Sequence, residues 1–574
     1  MRHLLPYLKK YKKETVIAPL FKMLEACFDL LVPLIVADIV DNGIGRGDNG
    51  YILVRFALLV GMAILGLSCT VVAQYFAARA AIGTATGLRH SLLAKIQSLS
   101  FTELDTVGTS TLVTRMTSDV GQVQNGINMF LRLFLRSPFI VFGAMIMAFV
   151  IDAKVALIFV GAIVLLFIIV FGMMALTKPR YGRVQGALDA VTGEVRENLG
   201  GMRVIRAFGR EELQEEEFRT ANARLYSAQM KVGRLASALN PLTYLVINAA
   251  IILILWVGGG RVNDGVLLSG DIIALINYVS QILVELVKLA NTVVLLGKAG
   301  AGMSRIGEVL DTESSISYGS ETVDRNSAEA VRFDAVSLRY HGAGDESLSR
   351  VTFAAKRGET VGIIGGTGSG KSSLVHLIPR FYDATAGEVF LCGKPIRSLS
   401  RDALLSAVAI VDQRPRLFSG TIRENLLWGR GGATDEELWH ALEVAQAADF
   451  VKEKPLGLDE PVSAGGTNFS GGQRQRLTIA RALVSHADIL ILDDSTSALD
   501  FATDAALRRA LKTLPSHMTV FIVSQRTGSI ASADRILVLE DGELVGEGTH
   551  EALLDSCPVY REIYESQFKK EGTV

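Results

Sequence analysis

The sequence predicts two unlike domains in one chain: an all-helical membrane domain of six spans, then an α/β domain with a largely parallel sheet. Three observations predict it. The chain has 574 residues, too many for a single hydrophobic core. Hydrophobic residues make up 49% of it and the mean hydropathy is +0.34, more apolar than a soluble chain of this length, so membrane spans are implied. Apolar stretches are long in the first half, whereas beyond Val331 they are short and alternate with helical patterns. We therefore divide the chain into a membrane domain at 1–312, a linker at 313–330 and an α/β domain at 331–574. The 58 basic and 59 acidic residues nearly cancel, which leaves no composition-level argument for a nucleic-acid partner. Cys27, Cys69, Cys392 and Cys557 lack metal or disulfide spacing and read as buried thiols in a reducing compartment.

Met1 to Lys13 carries Arg2, Lys9, Lys10, Lys12 and Lys13 and suits an amphipathic helix on the inner membrane surface. A cleaved signal peptide is the competing reading. The long, charge-bearing apolar region that follows, without a small-residue cleavage pattern, speaks against it. Six apolar stretches come next: Thr15–Val40, Tyr51–Ala78, Phe134–Ile151, Val155–Leu176, Leu235–Gly260 and Ile272–Leu296. Each is near or above the roughly 17–25 residues that cross a bilayer. Their connections alternate. Asp41–Gly50, Asp152–Lys154 and Arg261–Asp271 are short, while Arg79–Leu133 and Thr177–Arg234 are long, helical in pattern and rich in Arg and Lys. The positive-inside rule puts the long loops, the N-terminus and the C-terminal domain in the cytoplasm of a multi-pass protein of the cytoplasmic membrane.

Ionisable groups within a span face a partner or a cavity, because charge in lipid is costly. Lys22, Glu25 and Asp29 share one helix face, and Glu285 and Lys288 share another. Each set is either a local ion pair on a helix projecting beyond the bilayer or a polar wall of a substrate pathway. Asp311–Ala330 is polar, lacks periodicity and reads as a linker.

In the α/β domain, Gly365-Gly366-Thr367-Gly368-Ser369-Gly370-Lys371-Ser372 fits G-x-x-x-x-G-K-[ST] at every position. Val361 to Ile364 runs in as a buried strand and Ser373 to Pro379 leaves as a helix, the context the motif requires. Glycines let backbone N–H groups converge on phosphate oxygens. Lys371 then reaches the β and γ phosphates of ATP, and the Ser372 hydroxyl is placed to bind Mg²⁺. Ile489 to Leu492 is a second fully apolar strand, ending in Asp493, a carboxylate positioned to hold Mg²⁺ directly or through water.

Asn468-Phe469-Ser470-Gly471-Gly472-Gln473-Arg474-Gln475-Arg476 resembles the signature of ATP-binding cassette (ABC) proteins, with Phe469 in the position usually held by Leu. The resemblance implies further roles. Tyr340 matches the aromatic residue that stacks on adenine, Ser373 adjoins the phosphate loop, and Gln413 matches the Q-loop glutamine, a contact for nucleotide and metal. Ser497-Ala498-Leu499-Asp500 matches the D-loop. The membrane half is similar to that of exporters with six helices fused ahead of one nucleotide domain, the type I exporter or type IV transporter fold. Thr102–Val120 and Gly193–Glu212 resemble its two intracellular loops, which end in short coupling helices, the second by analogy at Arg206 to Glu211. In that family Ser470, Gly471, Gly472 and Gln473 act in trans, completing a site on another domain's phosphate loop. One cassette in the chain therefore implies a dimer.

Three positions depart from the family pattern. Asp494 stands where hydrolysing members carry the Glu that polarises the attacking water, and Asp is one methylene shorter. Gln525 stands where a His contacts the γ-phosphate, and Gln carries no charge. Ala464 stands where a Glu usually precedes the signature. Together they resemble the degenerate subunit of heterodimeric exporters, one that binds ATP and hydrolyses it poorly. The implied partners are a different half-transporter with Glu and His at the equivalent positions and membrane lipid, and the implied cargo is a small hydrophobic or amphipathic compound, drug-like or lipidic, exported across the cytoplasmic membrane. A slow homodimeric exporter, a regulatory ATP-binding subunit and an importer are the competing readings. The importer is disfavoured because importers usually keep spans and cassette on separate chains.

Overall fold

The structure is a computed structural model that describes residues 2–568. It divides into two units, one formed by the residues up to Gln97 with Ser110–Asp311, the other by Ser98–Thr109 with the residues from Thr312 onward.

The first unit is helical throughout. Its main helices are α1 (Lys12–Asp38), α2 (Asn49–Ser98), α3 (Arg136–Ile151), α4 (Ala153–Phe208), α5 (Leu239–Asn263) and α6 (Ser269–Asp311). At 1.5 Å per residue, α2 and α4 are roughly 75 and 84 Å long, far beyond the ~30 Å hydrocarbon layer. The long loops of the sequence are thus continuations of the spans as helix. Five helical stretches among the described residues are long and apolar enough to cross a membrane: Asn49–Ser98, Thr109–Ile151, Ala153–Phe208, Glu211–Asn263 and Ser269–Asp311. The expected first span does form a helix, α1, but Lys22, Glu25, Asp29 and Asp38 load its apolar part with charge, and it does not qualify by composition. At the second intracellular loop, no separate coupling helix occupies Arg206 to Glu211. Instead α4 stops at Gly209, whose φ of 59° caps the helix in the left-handed region, and a helix resumes at Glu211–Ser237.

Small residues allow the spans to approach one another: Ala26 and Ala37 of α1, Ala144 and Ala148 of α3, Ala250 of α5 and Ala274 of α6 are all buried. Phe159, Ile140, Ile254, Leu275 and Tyr278 fill the spaces between them, and the Tyr278 hydroxyl donates to the Leu30 carbonyl at 2.6 Å. The buried face of α1 runs Ala18, Lys22, Ala26, Leu30, Pro33, Ala37. Cys27 lies one position, about 100°, off that stripe and is exposed, correcting the expectation of four buried thiols. Cys69, Cys392 and Cys557 are buried, and all four are free.

The two intramembrane charge sets turn out to be one. Arg136 of α3 donates to Glu285 of α6 at 2.6 Å and to Asp29 of α1 at 2.7 Å, and it lies 3.8 Å from Glu25. Lys22 donates to Glu25 at 2.5 Å, Lys288 to Glu285 at 3.0 Å and Ser137 to Glu285 at 2.8 Å. Three cations thus face three anions. A buried charge is tolerable only when paired, so the electroneutral set joins three helices that neither local reading of the sequence had connected.

In the second unit a six-stranded sheet runs in the order Glu543–Gly548, Arg535–Glu540, Thr360–Gly365, Thr519–Val523, Ile489–Asp493, Val408–Val411, parallel except for the first strand. Its central strands are apolar through Val361–Ile364, Val520–Val523 and Ile489–Leu492 because both faces are covered. Val361, Ile363, Ile489, Ile491, Phe521 and Val523 enter one core, while Ile364, Leu490, Leu492, Val520 and Ile522 enter the other, alternating as the pleat requires. A four-stranded antiparallel sheet, ordered Leu348–Lys356, Glu329–Leu338, Ala386–Leu391, Lys394–Pro395, was not anticipated. Its inward Phe333 and Phe353 stack at 4.7 Å and share a core with the parallel sheet.

The short helix Phe101–Val107 belongs to this second unit. Phe101 packs on Phe381 with centroids 4.5 Å apart, and the Tyr382 hydroxyl donates to Asp105 at 2.6 Å. Glu103 caps the helix by accepting from the Ser100 N–H at 2.9 Å and ties it to the inter-domain segment by accepting from the Ser315 N–H at 3.1 Å. Burial raises the Glu103 pKa, but the hydrogen bonds from Ser100 and Ser315 outweigh it and hold the carboxyl below its ordinary 4.5. A depressed carboxylate contributes stability above its unfolded pKa and loses it as pH falls through the folded value. Amide exchange across Phe101–Val107 is therefore expected to be faster in Glu103→Gln than in wild type at pH 7, with the gap closing as the pH drops below 4.5.

Candidate functional site: the phosphate loop and its neighbours

The strand Thr360–Gly365 lies inside the parallel sheet and delivers the glycine-rich loop to its C-terminal edge, from which the helix Lys371–Leu377 departs. Only glycine suits the turn into that helix. Gly370 has φ 92°, and a Cβ there would lie 2.5 Å from the Ser347 carbonyl oxygen. Gly368 likewise has φ 86°, whereas a Cβ at Gly366 would meet nothing within 4 Å.

A cavity of about 280 Å³ opens at this edge, lined by Thr367, Gly368, Gly370, Lys371, Ser372, Ser373, Gln413, Asp493, Asp494 and Gln525, all expected from the sequence. Lys371 is folded back on the loop, donating to the Gly365 carbonyl at 3.0 Å, the Gly366 carbonyl at 2.5 Å and the Ser369 hydroxyl at 3.2 Å. Burial pulls its pKa down against the attraction of Asp494 and Asp493. The Ser372 hydroxyl donates to Asp493 at 3.1 Å. Burial raises the carboxyl pKa of both aspartates. Around Asp493 the Ser372 hydrogen bond and His376 oppose that rise, and around Asp494 the Gln413 hydrogen bond, Lys371 and Arg526 do. Asp494 adopts φ 44° directly after its strand, and its Oδ2 accepts from Gln413 at 3.0 Å. Two adjacent carboxylates and a hydroxyl form an oxygen donor set that suits Mg²⁺, with Lys371 and the backbone N–H groups of the loop suited to phosphate. The residues fit a magnesium-bound nucleotide, the metal supplying charge neutralisation at the phosphates.

Tyr340 is not among the cavity-lining residues. Its hydroxyl lies 3.0 Å from that of Ser373 and its ring meets Tyr382 edge to face at 4.9 Å. Sequence reasoning missed Ser347 and Val523, which line the cavity, and His376, 3.7 Å from Asp493. His376 sits one turn beyond Ser372 on the departing helix, a spacing that could have flagged it.

Ser470, Gly471, Gly472 and Gln473 do not line this cavity. They open the 14-residue helix Gly471–Val484, where the Gln473 N–H donates to the Ser470 hydroxyl at 3.2 Å and the Ser470 N–H to the Gln473 side chain at 3.0 Å. Ser470 and Gly471 are exposed, while Phe469 is buried with Phe450 as an edge-to-face neighbour, which accounts for an aromatic residue in that position. Ala464 is exposed and begins a short turn through Gly465. In the D-loop, Asp500 caps the helix Phe501–Leu511 by accepting from the Thr503 N–H at 2.9 Å.

Known proteins are similar to this chain in both of its halves. The family of ABC transporter transmembrane regions matches residues 15–286, and the family described as ABC transporter matches residues 348–497. The chain is 36% identical over 573 residues to YfiB, an ABC transporter ATP-binding protein of Bacillus subtilis (strain 168), covering 100% of each. It is 33% identical over 474 residues to an ATP-dependent lipid A-core flippase of Desulfotalea psychrophila (strain LSv54 / DSM 12343), covering 82% of each. A bacterial Atm1-family ABC exporter solved with ATP bound shares its fold, with a TM-score of 0.81 at 24% identity over 98% of this chain and 99% of that one. With identity of this order along its whole length, and the cassette geometry built as described, the chain belongs to the ABC transporter family, joining a membrane-spanning domain to an ATP-binding domain.

Proposed function

We propose that the chain is one half of a heterodimeric exporter that moves a hydrophobic or amphipathic compound, drug-like or lipidic, across the cytoplasmic membrane. We count α1 as a sixth span, since its 27 residues cover about 40 Å and its charges are paired, Lys22 with Glu25, Arg136 with Asp29 and Glu25, and Arg55 with Asp38. ATP bound between this phosphate loop and the partner's signature is hydrolysed slowly. The signature beginning at Ser470 completes the partner's site, where most turnover occurs.

The observation that carries the reading is the Asp494–Gln525 edge of the cavity. The short Asp494 carboxylate accepts a hydrogen bond from Gln413, and Gln525 lines the position where the family has an imidazole. A general base has to be within hydrogen-bond reach of the water it activates, and one methylene of lost reach removes it from that position. The exposed Ser470 edge supports the trans role of the signature. The lipid A-core flippase among the relatives supports the lipidic end of the cargo range.

Flux into inverted vesicles containing this chain and a half-transporter that carries Glu and His at the equivalent positions tests the reading: ATP-dependent accumulation supports it, and ATP-independent or absent flux contradicts it. Nucleotide binding is tested by Lys371→Ala, expected to weaken ATP binding to the isolated chain at least tenfold by equilibrium titration. One charge-assisted contact to phosphate is worth roughly 1.5–3 kcal/mol.

A further inference from the structure

Between α4 and the helix Glu211–Ser237 the membrane unit holds a second cavity, of about 550 Å³. Arg180 and Arg183 line it from α4, and Arg224 and Lys231 from the facing helix. Among the described residues, no acidic side chain lines it. Among the described residues, Arg183, Arg224 and Lys231 have no carboxylate within ion-pair distance, and Arg180 donates only to the Leu176 carbonyl of its own helix. The facing helix does not lack acids. Glu215 and Glu216 are spent on Arg219 at 2.9 and 3.0 Å, and from Phe218 to Ser237 no acidic residue follows. Two cationic helix faces thus oppose each other across an open cleft, an arrangement that repels itself until an anion enters.

Position along the helices narrows the anion. The apolar stretch of α4 ends at Leu176 and that of the facing strand of chain begins at Leu235. At 1.5 Å per residue, Arg180 and Lys231 lie about 6 Å beyond the hydrocarbon edge, at headgroup depth, with Arg183 about 10 Å and Arg224 about 16 Å out. Arginine forks match phosphate oxygens in pairs, and the Ser227 and Thr220 hydroxyls also line the cleft, with Ala223, Ala228 and Val232 as its apolar part.

We propose that this cleft binds the phosphate group of an anionic amphiphile whose apolar part extends into the adjoining bilayer. The inference deepens the exporter reading and rests on it insofar as the bound molecule is cargo. Binding and movement are therefore measured separately.

The test uses the purified full-length chain in mild detergent, titrated with dioleoyl phosphatidic acid or with dioleoylglycerol, adducts being counted by native mass spectrometry. Phosphatidic acid is expected to bind at least tenfold tighter than dioleoylglycerol, and R183Q/R224Q to weaken it about thirtyfold, two membrane-surface cations being lost. The control K9Q/K10Q, which removes two exposed cations from the N-terminal helix Leu5–Lys10, is expected to change it less than threefold. Glycerol 3-phosphate and inorganic phosphate serve as competitors. Displacement only at far higher concentration assigns the site to a lipid phosphate, and equal potency assigns the same phosphate site to a soluble ester. Equal binding of the two lipids, or equal loss in both double variants, would overturn the proposal by showing diffuse attraction in place of a site. Intact binding without ATP-driven movement of phosphatidic acid in vesicles would count against the exporter reading and leave the site standing.

Discussion

Asp494→Glu combined with Gln525→His is expected to raise ATP turnover by the purified chain about 100-fold or more, the low end of what a positioned general base contributes. The surrounding machinery is in place. The Ser372 hydroxyl and Asp493 stand 3.1 Å apart, Lys371 lies on the loop, and Gln413 is already hydrogen-bonded to Asp494. On the proposed reading, what limits the chain is reach at position 494 and the absence of a charged donor at position 525. The longer carboxylate extends from the left-handed turn at Asp494 past its present partner, and an imidazole supplies the charge that glutamine cannot. Because two substitutions at one centre act together, Asp494→Glu alone is expected to recover only part of the gain. Asp494→Asn with Gln525→His, measured by steady-state phosphate release, is expected to stay at the wild-type level. A double variant no faster than wild type would show that hydrolysis in this cassette is limited elsewhere.

Arg136→Met is expected to cost about 3–5 kcal/mol of stability, because removing one partner from a buried ion set leaves the other charges uncompensated. Arg136 is the hub. Its loss strips Glu285 of a 2.6 Å contact and Asp29 of a 2.7 Å contact while both stay within the helical bundle. Arg136→Lys keeps the charge but not the fork that reaches two helices at once, and is expected to fall between wild type and Arg136→Met. The readout is the monodisperse fraction after heating in detergent. Pairing Arg136→Met with Glu285→Gln is expected to return part of the loss, whereas equal damage in single and double variants would mean the residue acts through packing alone.

The sequence made the cassette legible because its chemistry is written locally. The phosphate loop, the strand ending at Asp493 and the signature helix each occupy one short stretch, and Val361–Ile364 and Ile489–Leu492 are unbroken apolar runs because two cores cover them. The antiparallel sheet was harder to read. Its strands at 329–338, 348–356 and 386–391 are separated by turns and by the phosphate-loop helix itself, so no local period announces their pairing. In the membrane half, spacing revealed that Lys22, Glu25 and Asp29 share a face, yet their partner Arg136 lies more than 100 residues away and only tertiary packing joins them. The same charges keep α1 below the composition expected of a span, so hydropathy reads this helix least clearly. The cationic cleft was equally hidden, since Arg180 and Arg224 meet only once two helices fold against each other. Cys27 shows the finer limit: a single helical step moved it from the buried stripe to the exposed side.

Unequal labour between two different half-transporters is tested most directly by the ATP turnover of the wild-type chain purified without any partner. The account expects it to bind ATP yet turn over below about 0.1 per second, well under the ~1 per second at the low end of ordinary enzymes. Turnover of about 1 per second or faster from this chain alone, abolished by Lys371→Ala, would contradict it and make the protein a self-sufficient homodimer.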